Sequence, residues 1–261
     1  MVNSISNSID LQLALDNISL WCSDWQLSIN VKKCVVLHLG NKNAHYPYFI
    51  CGNQLLVPHR VCDLGILIDS DFSFESHINQ LVTKAQARCR LFFKAFISRQ
   101  PALMLKFFIT YVRPLLECNS VVWAPQTLAC NNKIEGVQRI FTNKIPGCVY
   151  LPYSTRLANL GLHSLYIAYR RSVSDLCCLF KSLNCTSLIN LDAFVNYKEP
   201  GHTRGHTFRL VKPPFRLERT RKSFSIRSID IWNSLPIAAF QSSSIAIFKR
   251  HVLAMIIDQF L

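Results

Sequence analysis

The chain has 261 residues, half of them hydrophobic, 17% charged and 11% aromatic, which excludes a disordered chain and leaves apolar material for a core. At roughly 100 to 200 residues per domain, this length accommodates one large domain or two small ones, and speaks against a complete multi-domain machine. Twenty-nine Lys and Arg face fifteen Asp and Glu, and the net charge of +14 predicts a polyanionic partner, either nucleic acid or an anionic membrane surface.

Eleven cysteines lie at irregular spacings, mostly inside apolar stretches, with Cys177 and Cys178 adjacent. An odd, unpatterned set is a poor disulfide framework, so free thiols in a reducing compartment, cytoplasmic or nuclear, are expected. Residues Met1 to Ile9 are polar and lack the basic start and apolar run of a secretory signal. No window approaches the roughly 18 uninterrupted apolar residues of a membrane span, so a chain that is soluble, or that lost its targeting with its beginning, is expected; no membrane partner is assigned, since only the net charge points to one.

Leu11, Ala14, Leu15, Ile18, Trp21, Cys22 and Trp25 recur at steps of three and four, predicting a helix from about Ser8 to Trp25 with one apolar face. The period then changes. Leu27, Ile29 and Val31 alternate with polar residues, and Cys34 to Leu39 is an apolar run ending at Gly40-Asn41, which predicts one or two short strands. Tyr48 to Cys51 and Gln54 to Val57 flank Gly52-Asn53, the signature of a hairpin, and Val61 to Ile68 adds a further extended run before Asp69-Ser70-Asp71.

Helical spacing resumes at Ile78, Leu81, Val82, Ala85, Cys89, Phe92, Phe93 and Phe96, with Lys84, Arg88, Arg90 and Lys94 largely off that stripe. Pro101 suits a helix start, and the apolar run Leu103 to Leu116 is expected to bend at Pro114. Ile134, Val137, Phe141 and Ile145 mark a helix that ends before Pro146-Gly147. Ser164 would cap a last long helix, with Leu165, Ala168, Leu176, Phe180 and Leu183 turned inward.

From Asn196 to Ser228 nine Lys or Arg meet two Glu, and residues 196–261 carry half of the charge excess. The expected class is therefore α+β in three parts: an α+β unit with short strands over 1–70, a helical bundle over 71–195, and a basic segment with terminal helices over 196–261.

No phosphate-binding glycine loop, nucleophile elbow, His-Glu-x-x-His or kinase motif occurs, so these enzyme classes find no support. Cys178, Cys185, His202 and His206 supply the atoms of a tetrahedral zinc site on paper, but the spacing fits no finger, and core thiols with solvent-facing histidines are the simpler reading; no metal ligand is assigned. In the basic tract, Phe208, Phe215 and Phe224 interleave with cations, either as stacking platforms for bases or as anchors beneath a solvated loop.

The run WCSDWQLSINVKKC, Trp21 to Cys34, resembles the W-x3-W-x-L-x-x-N-x-x-K segment that follows the catalytic aspartates in reverse transcriptases of LINE-type, non-LTR retrotransposons of the jockey and CR1 kind. Asp63-Leu64-Gly65-Ile66 resembles that family's segment at the palm-thumb junction, and Phe74 to Ile78 its following helix start. Tyr111 to Glu117 with Val122-Trp123-Ala124-Pro125 is similar to its thumb motif. Glu135 to Arg139, Tyr153-x-x-Arg156-Leu157 and Arg170-Arg171-x3-Asp175-Leu176 continue the likeness in order, and Arg227-x4-Trp232-Asn233-Ser234-Leu235-Pro236 resembles its R-x4-W-N-x-L-P ending. Coverage runs from about Leu11 to Lys249.

The resemblance implies the end of a palm over 1–70, a helical thumb over 71–195 and a basic tail. Two departures are Asp63, where the family has an aromatic residue, and Phe74, where Trp is common. The larger one is the absence of any Asp-Asp pair: such polymerases use that turn and a third aspartate to hold two Mg²⁺ for phosphoryl transfer. The family implies that this turn would lie just upstream of the helix near Ser8, so the chain is expected to be inactive alone, to need the missing palm and fingers portion, and to hold no Mg²⁺ itself.

By resemblance, Lys33 corresponds to the lysine on the pyrophosphate side; without the aspartates it reads as a surface residue. Lys84, Arg88, Lys94, Arg113 and Arg139 on the thumb, and Arg209, Lys212, Arg216, Arg219, Arg221 and Lys222 in the tail, are the expected contacts to an RNA, DNA or hybrid backbone. A stand-alone nucleic-acid-binding module, or a relic of a decayed element that aggregates through its exposed palm face, are the alternatives.

Overall fold

The computed structural model describes residues 4–40, 43–162, 169–184, 195–198 and 208–260, with the side chains of 219 and 256–260 set aside. The chain is mixed α/β, mostly helical, with short antiparallel sheets. It divides into two compact units, Met1–His77 and Ile78–Leu261.

In the first unit, helix α1 spans Ile5–Asp24. Ser4 caps it by accepting from the Asn7 N–H at 3.2 Å. Its end closes as a Schellman motif: Gln26, at φ 55°, holds the left-handed position usually given to glycine, and Leu27 N–H reaches the Cys22 carbonyl at 2.7 Å. The helix matches expectation, but its apolar face is not covered. Ile18, Trp21 and Trp25 are more than half exposed, and only Leu15 joins the unit's core.

Strands β1 (Phe49–Ile50) and β2 (Asn53–Gln54) form the expected hairpin, with the link one residue earlier, at Cys51-Gly52. Both linking residues have positive φ, as a two-residue turn of the primed type demands. The run Val61 to Ile68 is not one strand but a second hairpin, β3 (Arg60–Asp63) and β4 (Ile66–Asp69), closed by Leu64-Gly65 at φ 45° and 83°. The predicted strands between Leu27 and Leu39 shrink to a 3-10 turn at Val31–Lys33 and a single parallel bridge, Val35 to Leu56. Apolar alternation is present there, but among the described residues no partner strand runs alongside.

Tyr48, Ile50 and Leu55 form the small core of this unit. Gln12 ties α1 to it: its amide donates to the Phe49 carbonyl and accepts from the Phe49 N–H, each at 2.9 Å, so one side chain pairs with β1 as a strand edge would.

Helix α2 (Glu75–Ala95) has its first three residues in the first unit; from Ile78 on, in the second unit, it buries Ile78, Leu81, Ala85 and Phe92 as its periodicity predicts. Pro101 opens α3 (Pro101–Phe107). The expected irregularity at Pro114 falls one turn earlier, as a π-helical turn at Phe108–Val112 ahead of α4 (Arg113–Glu117). Pro114 has no N–H to donate and its ring crowds the carbonyl four residues back, so the chain widens there and the Arg113 N–H bonds to the Phe108 carbonyl. Phe92 and Phe107 stack at 4.3 Å and Phe108 meets Phe141 at 4.9 Å, making an aromatic core.

Next come α5 (Ser120–Trp123), α6 (Leu128–Thr142), α7 (Tyr153–Asn159) and α8 (Tyr169–Asn184). Thr127 caps α6 by accepting from the Cys130 N–H, and Gly161 at φ 60° closes α7. Ser164, Leu165 and Ala168 lie outside the described residues.

The basic C-terminal stretch packs onto this bundle. It comprises β5 (Asn196–Tyr197), β6 (Leu210–Val211), α9 (Glu218–Arg221), α10 (Phe224–Ser234), α11 (Ile237–Phe240) and α12 (Ile245–Phe260). Leu176 and Phe180 of α8 share one core with Trp232 of α10 and Phe248 of α12, and Phe180 stacks on Phe248 at 4.1 Å.

Candidate nucleic-acid interface

After Glu75 at its start, α2 carries Lys84, Arg88, Arg90 and Lys94 and no acid. All four are exposed, because the apolar stripe of the same helix claims the opposite side. Lys84 and Arg88 are one helical turn apart and share a face. Arg88 also donates to the Tyr111 carbonyl at 2.6 Å, which pins its guanidinium against the π-helical turn.

A second cationic spot adjoins α2 through a cleft of about 300 Å³ lined by Arg90, Phe93, Ile140 and Lys144. Lys144 lies over the Phe93 ring at 4.7 Å and Arg99 at 5.3 Å from its centroid. Cys89, also in this cleft, has its thiol pushed up to about 11, chiefly by burial and against the pull of Lys144.

The remaining expected contacts are placed unequally. Arg139 is exposed on α6, with its guanidinium 5.0 Å from the Tyr153 ring centre. Arg113 is half-buried, its charge disfavoured by burial first and by Arg170 second, with Glu117 opposing. In the tail, Lys212 pairs with Asp230, Arg221 with Glu218, and Lys222 donates to the Gln126 carbonyl. Arg216 is exposed, Arg209 half-buried, and the Arg219 side chain lies outside the described residues. Phe208 stacks on Phe240 at 5.2 Å and Phe224 packs on the α8 core, whereas Lys212 lies over the part-exposed Phe215.

Lys33 is exposed in the 3-10 turn of the first unit. Of the zinc set drawn from sequence, Cys185, His202 and His206 lie outside the described residues, and no group of three metal-ligating side chains occurs among the described ones. No helix among the described residues is long and apolar enough to cross a membrane.

Spacing alone did not reveal an internal polar frame in the second unit. Arg227 grips Asp175 with two bonds, Nε to Oδ2 at 2.7 Å and Nη2 to Oδ1 at 2.9 Å, and also donates to the carbonyls of Val121 and Lys222. Arg170 meets Glu117 at 2.6 Å. Tyr153 donates to buried Glu135 and accepts from Gln138, and Arg156, itself buried, donates to Asn143 at 3.0 Å. Trp232 Nε1 bonds the Phe208 carbonyl, while the Asn233 amide clasps both backbone groups of Leu210. In the first unit, buried His77 accepts from the Leu67 N–H, fixing the β3–β4 hairpin to the start of α2. Many of the polar residues that carry the resemblance are thus joints of the fold. These contacts span up to 106 positions, beyond the reach of local periodicity.

Comparison with known proteins gives little. No family model matches the chain. It is 24% identical over 92 residues to an uncharacterized protein of Caenorhabditis elegans, an alignment that takes in 35% of this chain and 46% of the nematode protein. The chain thus spans under half the length of that relative. No solved structure matches.

Proposed function

We propose that this chain is the C-terminal portion of an RNA-directed DNA polymerase of a non-LTR retrotransposon, and that it binds the primer-template or RNA backbone without carrying polymerase chemistry. The observation that carries the reading is the uncompensated cationic face of α2: four exposed Lys or Arg in one helix, with no acid after Glu75. The ordered motif likenesses from Trp21 to Pro236 and the net charge of +14 support it. Such a face neutralises phosphates along a duplex and fixes its register without reading sequence. The tail adds Arg216, and its surface pairs Lys212–Asp230 and Arg221–Glu218 yield readily to phosphate because exposed ion pairs are worth little.

The exposed apolar helix α1 favours a portion of a larger fold over a stand-alone module. A helix with this much uncovered apolar surface belongs inside something larger.

The test is binding of a fluorescein-labelled RNA–DNA hybrid over a salt series. Log affinity should fall with log salt by about 0.9 for each phosphate contacted, and Lys84→Glu/Arg88→Glu/Lys94→Glu should flatten the slope by roughly three contacts. A flat dependence in the parent chain, or an unchanged slope in the variant, overturns the reading. Primer extension with Mg²⁺ is expected to be absent.

A further inference from the structure

A cleft of about 540 Å³ opens in the second unit between the end of α4, the start of α5, α8 and α12. Three cations line it: Arg170, Arg171 and Lys249. Arg170 is engaged by Glu117, but Arg171 is not matched in this way. It is nine-tenths buried, donates to the neutral Asn131 amide at 3.1 Å, and sits 5.6 Å from the Trp123 ring centre. Among the described residues no carboxylate stands within ion-pair distance of it, and burial pushes its pKa down to about 10 against the longer-range pull of Glu117, Asp175 and Glu135. A guanidinium stays protonated even so, and a buried cation with no anion in direct contact is costly. Lys249, exposed at the mouth, adds a second positive charge.

Besides Glu117, which Arg170 engages, the lining holds the hydroxyls of Ser120 and Ser174 and an apolar wall of Val173, Cys177, Ile245, Ala246 and Leu253. Among the described residues no aromatic ring lines the cleft, so these walls offer a nucleobase nothing to stack on. A bare phosphate would leave the apolar walls unused.

We propose that this cleft binds a single-chain amphiphilic anion, with an oxyanion head at Arg170, Arg171 and Lys249 and an aliphatic tail against Val173, Cys177, Ile245 and Leu253. The cleft volume is that of an ordinary small-ligand site, apolar with a few convergent polar groups. The guanidinium fork accepts carboxylate and phosphate alike, so a fatty carboxylate and an alkyl phosphate are two sources of the same chemistry. This site is independent of the nucleic-acid reading and uses none of the α2 cations.

Titration calorimetry on the full chain, below the micellar concentration, tests it with decanoate, decyl phosphate, decanol and inorganic phosphate. Saturable binding of one decanoate or one decyl phosphate per chain is expected, and whichever binds tighter identifies the head. Lys249→Glu and Ala246→Trp, both at exposed positions of α12, should each weaken it at least tenfold with the circular dichroism unchanged. Decanol binding as tightly as decanoate, inorganic phosphate binding as tightly as decyl phosphate, or both variants binding like the parent chain would overturn the proposal.

Discussion

Replacing Arg227 by Met keeps the length and the apolar stem while removing the guanidinium donors that join α10 to α8 and α5. The Asp175 side chain is 5% exposed and that of Arg227 20%, so the pair is largely shielded from water. Removing one partner of such a pair leaves a buried charge uncompensated and costs about 3–5 kcal/mol, far more than a surface bridge. The Val121 and Lys222 carbonyls also lose a charged donor. Urea denaturation followed by tryptophan emission is a suitable assay. Trp123 and Trp232 are buried in the second unit, whereas Trp21 and Trp25 are already exposed, so the emission shift reports chiefly on the second unit. Removing both partners together, as in Asp175→Leu/Arg227→Met, should recover part of the loss. Acidity supplies an independent check. Burial holds the Asp175 carboxyl above its ordinary 3.8 despite the pull of Arg227, and further up without it. A raised folded pKa means that protonation favours the fold, so the Arg227→Met penalty should be small below pH 3.8 and open as pH rises through the folded value. A penalty under about 1 kcal/mol at neutral pH, or one independent of pH, refutes the argument that this pair anchors the tail.

Three further outcomes are expected. Leu64 is 91% exposed and sits at φ 45°, a conformation that costs a branched residue about 1–2 kcal/mol, so Leu64→Asn should raise the thermal midpoint of the first unit. Trp232→Ala removes a buried indole from the α8 core together with its hydrogen bond to the Phe208 carbonyl, which should cost about 3–5 kcal/mol in denaturant unfolding. Cys89, whose thiol is pushed from 9.0 to about 11, should react with iodoacetamide more slowly at pH 8 than exposed Cys51, Cys62 and Cys118. Its neutral form belongs to the fold, so its stabilising contribution is whole below pH 9 and is lost as pH climbs towards 11.

The elements most legible in the sequence were those whose environment repeats locally. The α2 stripe predicted Ile78, Ala85 and Phe92 inside and its cations outside, because a helix on a single core imposes one period on both. The helix start at Pro101 was legible for an equally local reason. What escaped depends on partners distant in the chain. Nothing between Leu27 and Leu39 signals that a strand partner is absent, and nothing near Leu64 signals a left-handed turn at a leucine. For the candidate interface, periodicity located the cations of α2. Sorting Arg227, Arg170 and Lys222 into internal clamps needed contacts 52, 53 and 96 residues away.

The π-helical turn at Phe108–Val112 has the form of an insertion that a helix has absorbed. Deleting one residue within it would restore plain α geometry, yet each residue of a helix carries about 100° of rotation. Everything downstream as far as Glu117 would swing by that angle, taking Leu116 away from the core where it is fully buried and moving Glu117 away from Arg170. The extra residue therefore sets the phase between two successive helical segments. A shorter chain at that point would be a better helix and a worse protein.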